Sequence, residues 1–125
     1  MKTPDARSRE LRVWQGGMEP VEPVYRVTQS FPRQEVYGLT SQLRGAAVSI
    51  PANIAEGQSR HHLKEYLNFL SMAQGSVGEL ETELEIAARL KYIDQATLAE
   101  LMSKLEPLAR QIRALRAALE KPKQS

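Results

Sequence analysis

Cysteine is absent from this sequence of 125 residues, which excludes disulfides, thiol catalysis and metal sites built from thiolates. Histidine is almost as scarce, since the chain has only His61 and His62, which are adjacent in a predicted loop. Neighbouring side chains do not share a helical face, whereas a di-iron bundle needs Glu-x-x-His spacing on two helices. No serine lies in the glycine-flanked turn of a hydrolase nucleophile. We therefore expect no catalytic residue, no metal and no cofactor, and we predict that the protein is not an enzyme.

Long apolar runs are also missing. No stretch approaches the ~20 consecutive apolar residues of a membrane-spanning helix, and the first ten residues contain no apolar signal region. Hydrophobic residues make up 42% and charged residues 26% of the chain, as in soluble globular proteins. We expect a cytoplasmic protein with no membrane partner. The formal net charge of +2 permits a nucleic-acid partner without requiring one.

What the sequence does contain is one apolar pattern that recurs four times. Apolar residues follow steps of three and four over residues 14–28, 36–54, 66–87 and 98–119. In the first run these positions are Trp14, Met18, Val21, Tyr25 and Thr28. Such steps place the apolar residues on one stripe of a helix, and no segment alternates as a strand does. The pattern predicts an all-α protein.

Short polar segments separate these runs, near residues 30–34, 58–62 and 91–97. Because short connections force consecutive helices to run antiparallel, we expect an up-down-up-down four-helix bundle over 13–119. The polar ends predict a flexible arm over 1–12 and a flexible tail over 120–125.

Proline and glycine interrupt the runs at several positions. The stripe of the second run keeps its phase across Pro51, which predicts a continuous but bent helix. The bend serves either the packing of the bundle or the shape of a binding surface. Pro107 disturbs the fourth helix in the same way, and a delayed or bent start of the first helix is predicted from Gly16, Gly17, Pro20 and Pro23. In the third run, Gly75 and Gly78 are expected to let another helix approach closely.

Two further features concern the third helix. Four acidic residues at alternate positions, Glu79, Glu81, Glu83 and Glu85, are interpreted as a solvated or intersubunit face rather than as an acid–base pair. A second apolar edge is formed by Met72, Ile86 and Leu90, about 100° from the core stripe. We expect a spare apolar edge of this kind to be buried against another subunit.

Basic residues give the strongest functional indication. Residues 104–123 contain six lysines and arginines against two glutamates. Arg110 and Arg113 point away from the leucine stripe and Arg116 lies at its flank, so they form a basic band suited to phosphates. The candidate nucleic-acid-binding residues are Arg110, Arg113, Arg116, Lys104, Arg44, Arg60 and Lys64. No aromatic residue interleaves with them, so base stacking is not indicated, and an ordinary solvated face accounts for the same pattern.

Two segments carry a resemblance to a known family. "YGLTSQLRGAAVSIPANIAEG" at 37–57 and "EYLNFLSMAQGSVGELETELEIAARLKYI" at 65–93 closely resemble the four-helix bundle family of the 23S rRNA intervening-sequence proteins. That family includes relatives of the accessory variability protein of diversity-generating retroelements. The resemblance implies a bundle that assembles into a homopentameric barrel, and a nucleic-acid-binding role beside a reverse transcriptase for some relatives.

Together these observations predict a non-enzymatic, oligomeric bundle that contacts the phosphates of RNA or DNA through a basic surface. Its expected partners are further copies of itself, RNA or DNA, and a reverse transcriptase or another nucleoprotein. The alternative is a protein–protein scaffold ring that binds no nucleic acid.

Overall fold

The structure is a computed structural model that describes residues 6–122. Its helices are α1 (Ala6–Met18), α2 (Val21–Thr28), α3 (Leu39–Gln58), α4 (Leu63–Arg89) and α5 (Gln95–Glu120), with a short 3₁₀ turn at Arg33–Glu35. The described residues contain no strand, which confirms the all-α prediction. Because α1 and α2 together occupy the place of the first predicted helix, the arrangement is that of a four-helix bundle.

Long-range contacts establish the register of neighbouring helices. Ser49 of α3 hydrogen-bonds Ser76 of α4 at 2.6 Å, and Gly57 lies against Tyr66, so α3 and α4 run antiparallel. On the other side of α3, the Gln58 amide donates to the Glu10 carbonyl at 2.7 Å, while Gly17 packs on the turn around Pro51. Helix α3 is therefore central, with α1 and α4 antiparallel to it.

The stripes predicted for α4 and α5 form the core. The buried apolar residues of α4 include Tyr66, Leu70, Ala73, Val77, Leu80, Leu84 and Ala87. Those of α5 are Leu98, Leu101, Leu105, Leu108, Ile112 and Leu115, with Leu119 partly buried against them. Both stripes are confirmed, because all of their predicted residues are buried or, for Leu119, packed against the core.

The stripe predicted for the first helix is off by one position over most of its length, although Thr28 at its end is buried as predicted. The structure buries Val13 and Val24, whereas Met18 is 44% and Tyr25 is 39% exposed. Gly17 of α1 is buried as well, and a Cβ on this residue would lie 3.0 Å from Ile54 Cδ1. A pattern of apolar side chains misses a glycine whose backbone makes the contact.

The first helix is also divided rather than delayed. It begins at Ala6, ends at Met18, and gives way to α2 at Val21, with Pro20 at the N-cap of α2. The arm predicted over 1–12 therefore differs from the structure over 6–12, where Glu10 accepts a 2.7 Å hydrogen bond from Tyr66 Oη. Residues 1–5 and 123–125 of the predicted arm and tail lie outside the described residues.

Helix α3 passes through Pro51 without a break, as the constant phase of its stripe predicted. Asn53 Nδ2 donates to the Ser49 carbonyl at 2.8 Å, and the Ser49 hydroxyl donates to the Ala46 carbonyl at 2.9 Å. Pro51 itself is buried under Gly17 of α1. The proline therefore lies where two helices meet closely.

The connection between α4 and α5 is fixed at both of its ends. Lys91 has a positive φ of 67°. The Tyr92 amide donates to the Ala87 carbonyl, and the Lys91 amide donates to the Ala88 carbonyl. This is a Schellman ending in which a lysine occupies the position that usually holds glycine. Asp94 caps α5 by accepting from the Thr97 amide at 2.8 Å, and the hydrogen bonds of the Thr97 side chain and amide lower the pKa of its carboxyl.

The glycines of α4 do not have the predicted role within the chain. A Cβ on Gly75 or Gly78 would meet nothing within 4 Å, and the same holds for Gly45 of α3. Close approach occurs instead at Gly57, where a Cβ would lie 3.0 Å from both Phe69 Cβ and Tyr66 Cδ1. None of the helices within residues 6–122 is both long and apolar enough to cross a membrane.

Candidate nucleic-acid-binding surface

The outward side of α5 presents the two most accessible arginines of the predicted band. Arg110 keeps 62% of its side chain exposed, and its Nη1 lies 3.4 Å from Glu106 Oε1. Arg113 is exposed and forms no ion pair with another described residue. An exposed pair one helical turn apart is worth little energy, so both guanidinium groups remain available to an anion.

Arg116 faces α4 instead. Its Nη1 donates to Gln74 Oε1 at 3.1 Å and its Nη2 lies 3.5 Å from Glu120 Oε1, while Nε is buried without a partner. It shares a shallow cleft of about 440 Å³ with Lys64, so the structure brings these two predicted residues together. Arg116 therefore connects α5 to α4, whereas Lys64 forms no ion pair with another residue of the described range 6–122.

Two other candidate arginines are engaged within the bundle. Arg44 Nε donates to Thr28 Oγ1 at 2.8 Å, and its guanidinium carbon lies 4.7 Å from the centre of the Tyr25 ring. Arg60 forms an ion pair with Glu56 and lies 5.0 Å from the centre of the Phe69 ring. Aromatic residues therefore do accompany these two basic residues. Each arginine covers one aromatic ring, so the rings serve as packing partners and not as platforms on which nucleic-acid bases stack.

Lys104 lies on the α1 side of α5. It lines a polar cleft of about 430 Å³ together with Arg12 of α1, a residue that the sequence patterns did not single out. The candidate residues consequently form no single surface. Arg110 and Arg113 face outward, Lys104 faces α1, Arg116 faces α4 beside Lys64 in the first turn of that helix, and Arg44 and Arg60 belong to α3 and its end.

The acidic residues of α4 include one that the sequence analysis placed incorrectly. Glu83 is only 8% exposed, and its Oε1 has no hydrogen-bond partner within the described part of the chain. It lies two turns from Ser76 and therefore on the same, α3-facing flank of α4. Burial, together with the charge and hydrogen bond of Glu79, raises the pKa of Glu83 to about 7. The α3-facing flank of α4 thus holds a buried carboxyl at Glu83, whereas Glu79 one turn earlier is exposed.

The remaining candidates for chemistry are separate from one another. His61 and His62 are exposed in the connection between α3 and α4. Within residues 6–122, no group of three His, Cys, Asp or Glu side chains is arranged to hold a metal ion. Glu79 lines a shallow cleft of about 350 Å³ with Ser49, between α3 and α4.

Several large apolar side chains remain on the surface. Met72 is 47%, Ile86 42% and Leu90 50% exposed, which confirms the spare apolar edge predicted on α4. Tyr37, between the 3₁₀ turn and α3, is 95% exposed. No sequence pattern singles out this tyrosine.

These features define a small helical bundle with polar clefts between its helices and a basic outer helix. The chain belongs to the family of the 23S rRNA-intervening sequence proteins, whose family model matches residues 9–114. The match confirms the family resemblance that the sequence motifs carried. It does not extend to the accessory proteins of retroelements, and that part of the resemblance stays a prediction.

A solved structure shows the same fold. The crystal structure of a protein of unknown function from the S23 ribosomal protein family of Bacteroides thetaiotaomicron superposes with a TM-score of 0.79. The two sequences are 20% identical, and the alignment covers 87% of this chain and 98% of the other. At this identity the likeness extends to the fold alone. No curated protein matches the sequence.

Proposed function

We propose that the protein is a non-enzymatic, oligomeric bundle that binds nucleic acid through phosphate contacts on the outward side of α5. The observation that carries this proposal is the availability of Arg110 and Arg113. Both side chains are exposed. Arg110 forms one weak ion pair, with Glu106, and Arg113 forms none with another described residue. Contacts of this kind are made to phosphate oxygens and carry no sequence information, so binding is sequence-tolerant and strongly dependent on salt.

Self-assembly is the second part of the proposal. The exposed edge of Met72, Ile86 and Leu90 lies on α4, where Gly75 also leaves open space for another chain. Burial of such an edge in a ring of identical subunits removes apolar surface from water and repeats the α5 arginines around the assembly. A homopentamer, the state that the family resemblance implies, is the expected ring. Light scattering that shows a monomer at micromolar concentrations contradicts this part.

The same apolar edge also favours the alternative function. A ring that assembles through α4 and presents the exposed Tyr37 to a protein partner acts as a scaffold without binding nucleic acid. The two functions differ in their response to salt, because only phosphate binding releases condensed counterions.

The deciding experiment measures binding of RNA, single-stranded DNA and duplex DNA over a series of salt concentrations. The double variant Arg110→Glu with Arg113→Glu is expected to fold normally, since both side chains are exposed, and to lose binding. Loss of two phosphate contacts lowers the logarithmic salt slope by about 1.4 to 1.8, depending on strandedness. A matched control reverses two exposed charges elsewhere, Arg7→Glu with Arg26→Glu. Equal weakening by both double variants would show that net charge alone matters, and a wild-type protein that binds no nucleic acid at low salt supports the scaffold.

A further inference from the structure

The polar cleft between α1 and α5 combines features that neither helix offers alone. It encloses about 430 Å³, and its lining includes the cations Arg12 and Lys104 and one acid, Glu19. Neither cation forms an ion pair with another residue in the described part of the chain. Two uncompensated cations against one carboxylate favour a ligand with a negatively charged group.

The same cleft contains a hydrogen-bond acceptor without a donor and a backbone carbonyl whose regular donor is missing. Gln111 lines the cleft, and its Oε1 is buried without a partner among residues 6–122. Gly16 makes room for that amide, because a Cβ there would lie 2.8 Å from Gln111 Oε1. Pro107 also lines the cleft and has no amide hydrogen, so the Ser103 carbonyl loses its regular helical donor. A simple anion offers only acceptors and leaves these groups unpaired.

A ligand that suits this cleft therefore carries a negative charge and a hydroxyl donor close together. The sugar–phosphate backbone of RNA has both, since the ribose 2′-hydroxyl lies beside the phosphate, whereas DNA lacks that hydroxyl. The inference rests on the proposed nucleic-acid function and goes further than it. We infer that the α1–α5 cleft binds the RNA backbone, with phosphate on Arg12 and Lys104 and a 2′-hydroxyl donating to Gln111. A glutamine with an unpaired amide oxygen gains a hydrogen bond when it turns toward such a donor.

The experiment compares full-length protein on three fluorescent oligonucleotides of one unstructured sequence: RNA, DNA and 2′-O-methyl RNA. Methylation keeps the ribose and the charge but removes the donor. The wild-type protein is expected to bind RNA about five-fold more tightly than either analogue, because one hydrogen bond changes the binding affinity by about this factor. Gln111→Met is expected to bring this ratio close to one without changing the salt slope. Gly16→Ala, which displaces the amide and keeps every charge, is expected to do the same and covers the case in which Gln111→Met does not fold.

The cations are tested separately from the glutamine. Arg12→Gln with Lys104→Gln is expected to lower the logarithmic salt slope on RNA by about 1.4, as two lost phosphate contacts require. The matched control, Arg26→Gln with Lys91→Gln, removes one exposed arginine and one exposed lysine outside the cleft and is expected to leave the slope unchanged. Gln34→Met, at an exposed site on the 3₁₀ turn, serves as the control for Gln111→Met.

The outcomes separate this inference from the function on which it rests. Equal affinity of the wild-type protein for RNA, DNA and methylated RNA overturns the cleft assignment, while phosphate binding by α5 stands. A preference for RNA that survives Gln111→Met and Gly16→Ala also overturns it. Absence of binding to all three oligonucleotides at low salt removes the proposed function itself.

Discussion

Helix α4 packs against its two neighbours through different chemistry. Toward α5, both helices contribute leucines to the core, such as Leu84 and Leu105, which are almost fully buried. Toward α3, the contact includes small and polar residues: the Gly57 backbone, the Ser49–Ser76 hydrogen bond and the buried Glu83. A leucine interface depends on the volume of its side chains, whereas an interface of small residues depends on how closely the backbones approach. The two interfaces should therefore fail for different reasons.

The largest effect is expected in the leucine interface. Leu105→Ala removes a side chain that is 1% exposed and leaves a cavity, which destabilises the fold by about 3 kcal/mol. Urea unfolding followed by circular dichroism measures the loss. Leu11→Ala is the matched control, because Leu11 is 54% exposed and its truncation should change the free energy of unfolding by less than about 0.5 kcal/mol. Similar losses in both variants would mean that the leucine stripe of α5 does not carry the stability of this interface.

The second effect concerns the buried carboxyl on the α3 side of α4. Since folding raises the pKa of Glu83 from an ordinary 4.5 to about 7, the folded state binds more protons than the unfolded state between these values. This contribution to stability is fully present below pH 4.5 and is lost as the pH rises to about 7, at a cost on the order of 2 kcal/mol.

Glu83→Gln removes the titrating group, so the variant should be more stable than the wild-type protein at pH 8 and less dependent on pH. Chemical unfolding at pH 5 and pH 8 measures this difference. Glu100→Gln, at an exposed position of α5, should leave the pH dependence as it is. A wild-type protein whose stability rises between these two pH values would contradict the burial of Glu83.

A third, smaller effect tests the close approach of α3 to α4. In Gly57→Ala the added Cβ meets Phe69 Cβ and Tyr66 Cδ1 at 3.0 Å and the Tyr66 carbonyl oxygen at 3.3 Å, none of which moves easily. We expect a net loss of about 1 to 2 kcal/mol, because overpacking outweighs the gain in helix propensity. Gly75→Ala meets nothing within 4 Å and should stabilise the isolated chain by up to about 1 kcal/mol. Thermal unfolding of both variants decides whether the close approach is confined to Gly57.

The contrast between the interfaces also explains what the sequence could predict. The bundle, the stripes of α4 and α5 and the family were all predictable, because apolar spacing and local motifs are properties of consecutive residues. The full burial of Val13, with Trp14 only partly buried beside it, was not predictable, because it depends on Gly17 meeting Ile54 across two helices. The same limit applies to the basic residues. Exposure of Arg110 and Arg113 followed from the leucine stripe, whereas the partners of Arg44 and Arg116 lie on other helices and carry no local signal.

The smallest effect is expected in the turn that connects α4 to α5. Lys91 ends α4 with φ of 67°, a conformation that an L-residue with a side chain adopts at a cost and glycine adopts freely. Its side chain is exposed, so Lys91→Gly removes no core contact and keeps the hydrogen bonds of the Lys91 and Tyr92 amides to Ala88 and Ala87. We expect a gain of about 0.5 kcal/mol, since relief of strain exceeds the entropy that glycine adds to the unfolded chain. Lys91→Ala keeps the strained φ and should give no gain, so equal melting temperatures for the two variants would show that the ending of α4 is not strained.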